Sequence, residues 1–473
     1  MLTVKTILGA GWTVSSRLTA RLIDFGTVLI LARTLTPADF GLTALAMTLT
    51  VIVDTVLQVP LIQALTRLRN LEKAHLDTAF TLGLLRGAVL SAVVLLAAWP
   101  FTYIYSDSRL LPLIAVLAIG PVARSLYSPA MVEYIREMHF RQVFIAELLG
   151  KIVASSIAVS VVYLGGGYWA IAASSVFSPV ATTMISYVLG PYRPRLSLSK
   201  FPEFSTFLGW FSTAQLVSTL SWQFDRILLG YFISKSDLGQ FTMASDLSDM
   251  PTQSFIGPAM QPLMAAFSRI NDDPARLRSA YLRASRLAML FAAPTCIGMS
   301  LTSDIIVDVL LGAKWHNAAV YLQWLSLWVA LNAFYQPVQT LAIAMNRTDI
   351  IFRLSLAELC SRVILVSLGI YFYSTMGVIA ARGAMSLIWF VLSLLTARYL
   401  VGTKIPSELG NLWQVAVACA AMAASVLLLR HGLNEIQPNE ALELIVTAML
   451  GAVAYAGMLL AVGVRPSTYL KSS

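Results

Sequence analysis

A stretch near the start of the chain is repeated 198 positions later with its spacing intact. Gly11-Trp12, a run of about twenty mostly apolar residues, and Asp39-Phe40-Gly41 recur as Gly209-Trp210, a similar run, and Asp237-Leu238-Gly239. Leu31 falls on Leu229, Ala32 on Gly230 and Ala46 on Ala244, so the match runs through one hydrophobic span, a short turn and into the next. A duplicated set of hydrophobic spans points to two halves that move about a shared site, the plan on which many transporters are built.

The apolar runs continue along the whole chain. Of 473 residues 58% are hydrophobic and 12% charged, and mean hydropathy is +0.74, whereas soluble domains carry roughly 25% charged residues. This composition is that of an all-α integral membrane protein. A helical span needs about 20 apolar residues, and about fourteen such runs are present, centred near residues 20, 52, 92, 120, 154, 179, 217, 252, 296, 330, 362, 388, 420 and 452.

Lysine and arginine resist translocation and mark the cytoplasmic side. With loops numbered alternately from a cytoplasmic N-terminus, one side holds twenty basic residues, among them Arg67, Arg69, Lys73, Arg193, Arg195, Lys200, Arg276, Arg283 and Arg347. The other holds five, namely Arg33, Arg109, Lys235, Lys314 and Arg430. Both termini are therefore expected inside, and the bias supports the span count, because one missed helix would scramble every later loop. The net charge of +9 reads as topology and contact with anionic lipid headgroups, with no nucleic acid as partner. Arg17, Arg21 and Asp24 interrupt the first apolar run and no small-residue cleavage motif follows, so the first span is expected to be retained. Cys296, Cys360 and Cys419 fall inside spans at spacings that suggest neither metal site nor disulfide, and read as packing residues.

A second internal match supports the first. Ala146-Glu147-Leu148 with Lys151 resembles Ala357-Glu358-Leu359 with Arg362 at an offset of 211, and each acid lies four residues before its base on one helical face. An even number of spans between equivalents gives both halves the same orientation, related by an axis along the membrane normal. The expected organisation is a six-helix lobe over residues 1–195, a second over 196–405, and an extra helix pair over 406–473 without a counterpart. Loops are short. The longest, about Phe267 to Arg286, reads as a surface helix capped by Asp273 with Pro274 first, its arginines facing phosphate headgroups or simply water.

A charge at the centre of a span costs about 2.5 to 3.5 kcal/mol, so deep ones should face a wet cavity or an opposite charge. Arg17, Arg21 and Asp24 form one stripe on the first helix, opposite Leu18, Leu22 and Leu29. The stripe is either a local ion-pair ladder or the wall of a cationic cavity for an anionic substrate. Arg86, Arg124 and Lys151 are further cationic candidates, and Asp24, Asp54 and Asp304 are candidates for coupling to a proton or cation. Slid onto the second half, Arg17, Arg21 and Asp24 fall on Gln215, Thr219 and Trp222. The wet stripe is thus kept while its charge is not, and those three residues are candidates for neutral hydrogen bonds and sugar stacking. Most other aromatics suit the interfacial belt.

The sequence contains no Walker A motif, no paired Cys/His metal spacing and no nucleophile elbow. Neither a cofactor nor an enzymatic activity is expected, and the external loops are too short for a membrane polymerase or ligase.

Leu31-Ala32-Arg33-Thr34-Leu35-Thr36-Pro37-Ala38-Asp39-Phe40-Gly41-Leu42 is similar to the turn after the first helix of bacterial polysaccharide exporters of the Wzx type. Tyr192-Arg193-Pro194-Arg195, Asp225-Arg226, Asp272-Asp273-Pro274, Gly312-Ala313-Lys314-Trp315 and Asn346-Arg347-Thr348-Asp349 also resemble that group, most closely the exporters of colanic acid and succinoglycan. The resemblance covers residues 8 to about 400. It implies the multidrug/oligosaccharidyl-lipid/polysaccharide exporter fold, with two six-helix lobes around a V-shaped cavity. It also implies a polyprenyl-diphosphate-linked oligosaccharide as cargo, carried across the bacterial inner membrane, with a polysaccharide polymerase and export proteins as further partners. A cation-coupled multidrug exporter of the same fold is the main rival, a membrane glycosyl polymerase or ligase and an export-complex scaffold the lesser ones.

Overall fold

In the computed structural model, residues 19–59, 61–68, 70–137, 139–208, 211–433 and 439–464 are described, the side chains of 205–216 and a few isolated helical positions excepted. All regular structure among them is helical. The repeat marks Gly11-Trp12 and Gly209-Trp210 lie outside these residues.

The helices are α1 (residues 19–34), α2 (Pro37–Val56), α3 (Leu61–Arg67), α4 (Lys73–Ile104), α5 (Leu110–Leu117), α6 (Ile119–Ser125), α7 (Met131–Arg136), α8 (Phe140–Tyr163), α9 (Trp169–Leu189), α10 (Phe201–Leu208), α11 (Phe211–Phe232) and α12 (Lys235–Pro251). A π-turn over Thr252–Ile256 leads to α13 (Gly257–Arg269), α14 (Pro274–Leu301), α15 (Ser303–Leu310), α16 (His316–Asn332), α17 (Tyr335–Ala344), α18 (Thr348–Val401), α19 (Ile405–Leu433) and α20 (Glu440–Ala461). Eight helices among the described residues are long and apolar enough to cross a membrane, and the molecule is an integral membrane protein. Some expected spans are divided. The one near residue 120 is split between α5 and α6, and the one near 252 contains the π-turn, beside Pro251 and Pro262, whose missing N–H groups interrupt the backbone ladder. The surface helix expected between Phe267 and Arg286 does start at Pro274, but it is not a separate element: it is the first part of α14, which runs unbroken to Leu301 after a tight turn from α13. Asp273 caps it as expected, its carboxylate accepting the N–H groups of Ala275 and Arg276.

The chain folds into two compact units, Met1–Gly239 and Gln240–Ser473. In the first, α8 and α9 pack tightly because Ala146, Gly150, Ala154 and Ala158 present a buried stripe of small side chains at four-residue intervals. At Gly150 a Cβ would overlap the Thr182 hydroxyl. Helix α11 lies against α2, with Gly230 under Leu45, and Tyr105 donates to the Ile227 carbonyl at 2.9 Å.

The repeated turns are alike in atomic detail. Thr36 caps α2, accepting the Asp39 N–H at 3.3 Å and donating to its carboxylate at 2.7 Å. Ser234 does the same for α12, accepting the Asp237 N–H at 3.1 Å and donating to its carboxylate at 2.8 Å. The two turns also meet. A Cβ on Gly41 would overlap the Lys235 carbonyl, and one on Gly239 would overlap the Pro37 carbonyl.

In the second unit α14 packs against α16, α17 and α19. Its Pro294 has no N–H to offer the Leu290 carbonyl one turn earlier; Tyr455 of α20 donates its hydroxyl to that oxygen at 2.9 Å. Helix α18 is two helices joined by a reversal at Tyr373 and Ser374, where Gly369 and Gly377 approach so closely that a Cβ on either would overlap the other's carbonyl. It therefore accounts for both spans expected near residues 362 and 388. Cys296 and Cys419 are buried packing residues, whereas Cys360 is exposed.

Candidate functional site

The polar stripe of α1 turns towards α8. Lys151 pairs with Asp24, and one turn further Thr27 and Ser155 share a hydrogen bond of 2.6 Å. These rungs follow from parallel helical spacing, three residues on α1 against four on α8. Arg21 is half-buried on the same helix and has interactions of its own; Arg17 lies outside the described residues. Thr27 continues the Asp24 stripe by i+3 and was available to sequence reasoning as a member of it.

A second cluster surrounds Asp54 near the C-terminus of α2. Arg86 of α4 donates to the Asp54 carboxylate at 2.5 Å, to the Asp54 and Leu57 carbonyls at 3.1 and 2.6 Å, and to the Ser125 hydroxyl at 2.9 Å. Its guanidinium thus caps one helix and ties it to α6, which commits most of its five donors inside the protein. Arg124 lies 3.9 Å from the same carboxylate, but its side chain is 62% exposed against 13% for Arg86. The two arginines that sequence treats alike are in different positions, one a largely buried strut and one largely exposed.

The repeat-related motif on α18 is wired differently from its partner on α8. Arg362 pairs at 3.0 Å with Glu358 on its own helix, whereas Lys151 reaches across to Asp24. In the second half the position matching Asp24 is Trp222, which offers no carboxylate. Trp222 is half-exposed on α11 and Thr219 is buried there; the Gln215 side chain is outside the described residues. Asp304, on α15, pairs with Arg430, whose Nε also lies 3.6 Å from Glu443. Asp304 thereby joins α15 to α19 and α20. Each of the three acids considered for ion coupling is consequently in contact with a cation. Among the described residues no group of three metal-ligating side chains occurs.

Near the repeated turns Arg109 holds the Asp107 carboxyl below its usual range through a bidentate hydrogen bond at 2.8 and 3.0 Å. Burial lowers the Lys235 ammonium, which sits 5.3 Å from the Tyr105 ring centroid, and raises the Tyr105 phenol to about 12. These groups brace the turns from outside the spans.

Residues 30–320 match the family described as polysaccharide biosynthesis protein. The succinoglycan biosynthesis transport protein ExoT of Rhizobium meliloti is 24% identical over 333 residues, 68% of this chain and 66% of that protein. The lipopolysaccharide biosynthesis protein WzxC of Escherichia coli is 23% identical over 359 residues, 74% of this chain and 72% of its own length. Among solved structures the inward closed conformation of the lipid II flippase MurJ superposes with a TM-score of 0.69 at 14% identity, over 96% of this chain and 98% of MurJ. At that identity the likeness concerns the fold.

Proposed function

The chain belongs to the polysaccharide biosynthesis protein family, and from that premise we propose that it moves a polyprenyl-diphosphate-linked oligosaccharide between the leaflets of a bacterial inner membrane. Two six-helix lobes, residues 1–195 and 196–405, rock about a polar cavity to alternate access, while the helix pair over 406–473 is an addition. The spans number about fourteen and both termini face the cytoplasm, as the distribution of basic residues implies.

The observation that carries this reading is the family match over residues 30–320, which takes in Asp54, Arg86, Arg124 and Lys151. A diphosphate cannot cross about 30 Å of hydrocarbon unaided, whereas a prenyl tail can stay in it. Arg124, the more open of the two arginines at Asp54, together with Arg17, Arg21 and Lys151, attracts the diphosphate or acidic sugar substituents. Arg86 holds Asp54 and the end of α2 so that Arg124 is correctly placed. Gln215, Thr219 and Trp222 supply neutral contacts to the sugars. Asp24 and Asp54 exchange their cationic partners for a coupling ion during the cycle, and Asp304 is the third site of this kind. A polymerase and export proteins take the delivered repeat unit, and no cofactor takes part.

Deletion of the gene, followed by isolation of lipid-linked intermediates, tests the reading. Accumulation of a complete but unexported repeat unit is expected. Normal surface polysaccharide together with normal intermediates would overturn it. Vesicles containing only the purified protein should translocate the same lipid-linked unit without making or breaking a glycosidic bond.

A further inference from the structure

The chain between α9 and α10 has little regular structure, yet its inner side is fixed to the first turns of α4 at several points. Tyr192 donates to Asp77 at 2.5 Å, and the N–H groups of Ser197 and Lys200 donate to the hydroxyls of Thr81 and Thr78 at 2.9 and 3.3 Å. His75 accepts the Glu72 N–H on Nδ1 at 3.1 Å, which places the ring proton on Nε2, 3.0 Å from the Glu203 carboxylate. Lys200 bridges Glu72 and Glu203 at 3.2 and 3.5 Å. Phe204 closes the attachment by packing among Leu65, Leu76, Ala79 and Val132. His75, Asp77, Thr78 and Thr81 are buried beneath these contacts.

The outer side is unlike the inner. Arg193 and Arg195 are exposed, and beside them Leu196, Leu198 and Phe201 are 71%, 47% and 43% exposed. Large exposed apolar side chains directly after two exposed arginines, on a segment held this firmly, suit neither water nor a packed core, but they match the boundary between phosphate headgroups and acyl chains. Leu84 and Leu85, one turn beyond Thr81 on the same face of the spanning helix α4, are themselves exposed.

We propose that residues 191–201 form an interfacial strap that docks on anionic phospholipid. Leu196, Leu198 and Phe201 enter the headgroup boundary while Arg193 and Arg195 pair with phosphate oxygens, and the polar contacts to α4 hold the strap at that depth. The proposal rests on the transport reading only for the side of the membrane concerned.

The test uses the full-length chain with Cys296, Cys360 and Cys419 replaced by Ser and a polarity-sensitive fluorophore on Leu198→Cys. The protein is reconstituted in phosphatidylcholine vesicles with or without phosphatidylglycerol, each containing a lipid whose quencher sits at the top of the acyl chain. Blue-shifted, quenched emission is expected, stronger with phosphatidylglycerol. At the energy expected for two basic residues at an anionic surface, R193Q/R195Q should lower the docked-to-undocked ratio in those vesicles about thirtyfold. Solvent-like, unquenched emission in both vesicle types would overturn the docking. Quenching that is equal in both, and unchanged by R193Q/R195Q, would overturn the anionic preference. Because the readout involves no transport, its failure is separate from failure of the flippase reading.

Discussion

Gly41 and Gly239, equivalent positions of the repeat, pack against each other's turns so that each lacks room for a single methyl group because of a carbonyl from the other copy. The reciprocity is that of a two-fold contact. Pro37 and Lys235, which supply the two carbonyls, are themselves equivalents at the same offset of 198. G41A and G239A should each destabilise the protein by about 1–3 kcal/mol, the usual cost of overpacking a site whose neighbour is backbone. Thermal unfolding in detergent would measure it. Unchanged midpoints in both variants would show that the turns separate readily.

Asp24 and Lys151 allow the structural and the functional roles of the first-helix stripe to be told apart. Their side chains are partly exposed, so either single loss should cost only about 1 kcal/mol of stability. The exchanged pair D24K/K151D restores attraction but moves the cation to the other helix. If the charge only joins α1 to α8, the exchange should restore transport as well as stability. If Lys151 binds cargo, stability should return while export stays low, and this second outcome is expected.

Arg86 and Arg124 should separate in the same way. R86A leaves two carbonyls at the end of α2 without their donor and Asp54 with only the more distant Arg124, at a cost of about 1–3 kcal/mol. R86K should recover little of it, because an ammonium cannot span the fork. R124A should leave the folded fraction near that of the parent and reduce export of the polysaccharide. Measuring protein level and surface polysaccharide in the same cells distinguishes the two.

Tyr455 should be coupled to Pro294. Y455F leaves the Leu290 carbonyl without a donor and should cost about 1–3 kcal/mol. P294A returns an N–H to that carbonyl from within α14, so Y455F should cost much less in the P294A background. A double-mutant cycle on unfolding midpoints reads the difference directly; additivity would show that the hydroxyl does not serve the proline.

Asp107 gives a pH dependence of fixed sign. Its folded pKa lies below the ordinary 3.8 because Arg109 stabilises the carboxylate. The stabilisation is thus complete above that value and is lost as pH falls through the lowered one. D107N should remove this acid-limb loss of stability while leaving the pH dependence near neutrality unchanged, as a melting series across the acid range would record.

Sequence reading reached the membrane class, the repeated turn marks and the Asp273 cap of α14; the caps of the repeated turns, Thr36 with Asp39 and Ser234 with Asp237, are local signals at fixed spacing that it passed over. The Glu358–Arg362 pair was legible as a local spacing of the same kind. Lys151 reaching Asp24, and Arg86 reaching Asp54, depend on which helices become neighbours and in what register, and no spacing along one helix encodes that. The double span within α18 was visible as two apolar runs. Its reversal at Tyr373 and Ser374 was less so, since Ser374 takes a left-handed φ of 53° that favours glycine.

The bond from Tyr455 to Leu290 also has a consequence for the order in which the protein is made. The carbonyl that Pro294 deprives of its helical partner waits for a hydroxyl 165 residues later in the chain. Until α20 is synthesised and inserted, α14 carries an unmet acceptor inside hydrocarbon, a cost of several kcal/mol unless water or a chaperone covers it. The docking of α20 is therefore a late step in biogenesis, and a chain released before residue 455 would be a substrate for quality-control proteolysis even with α14 complete.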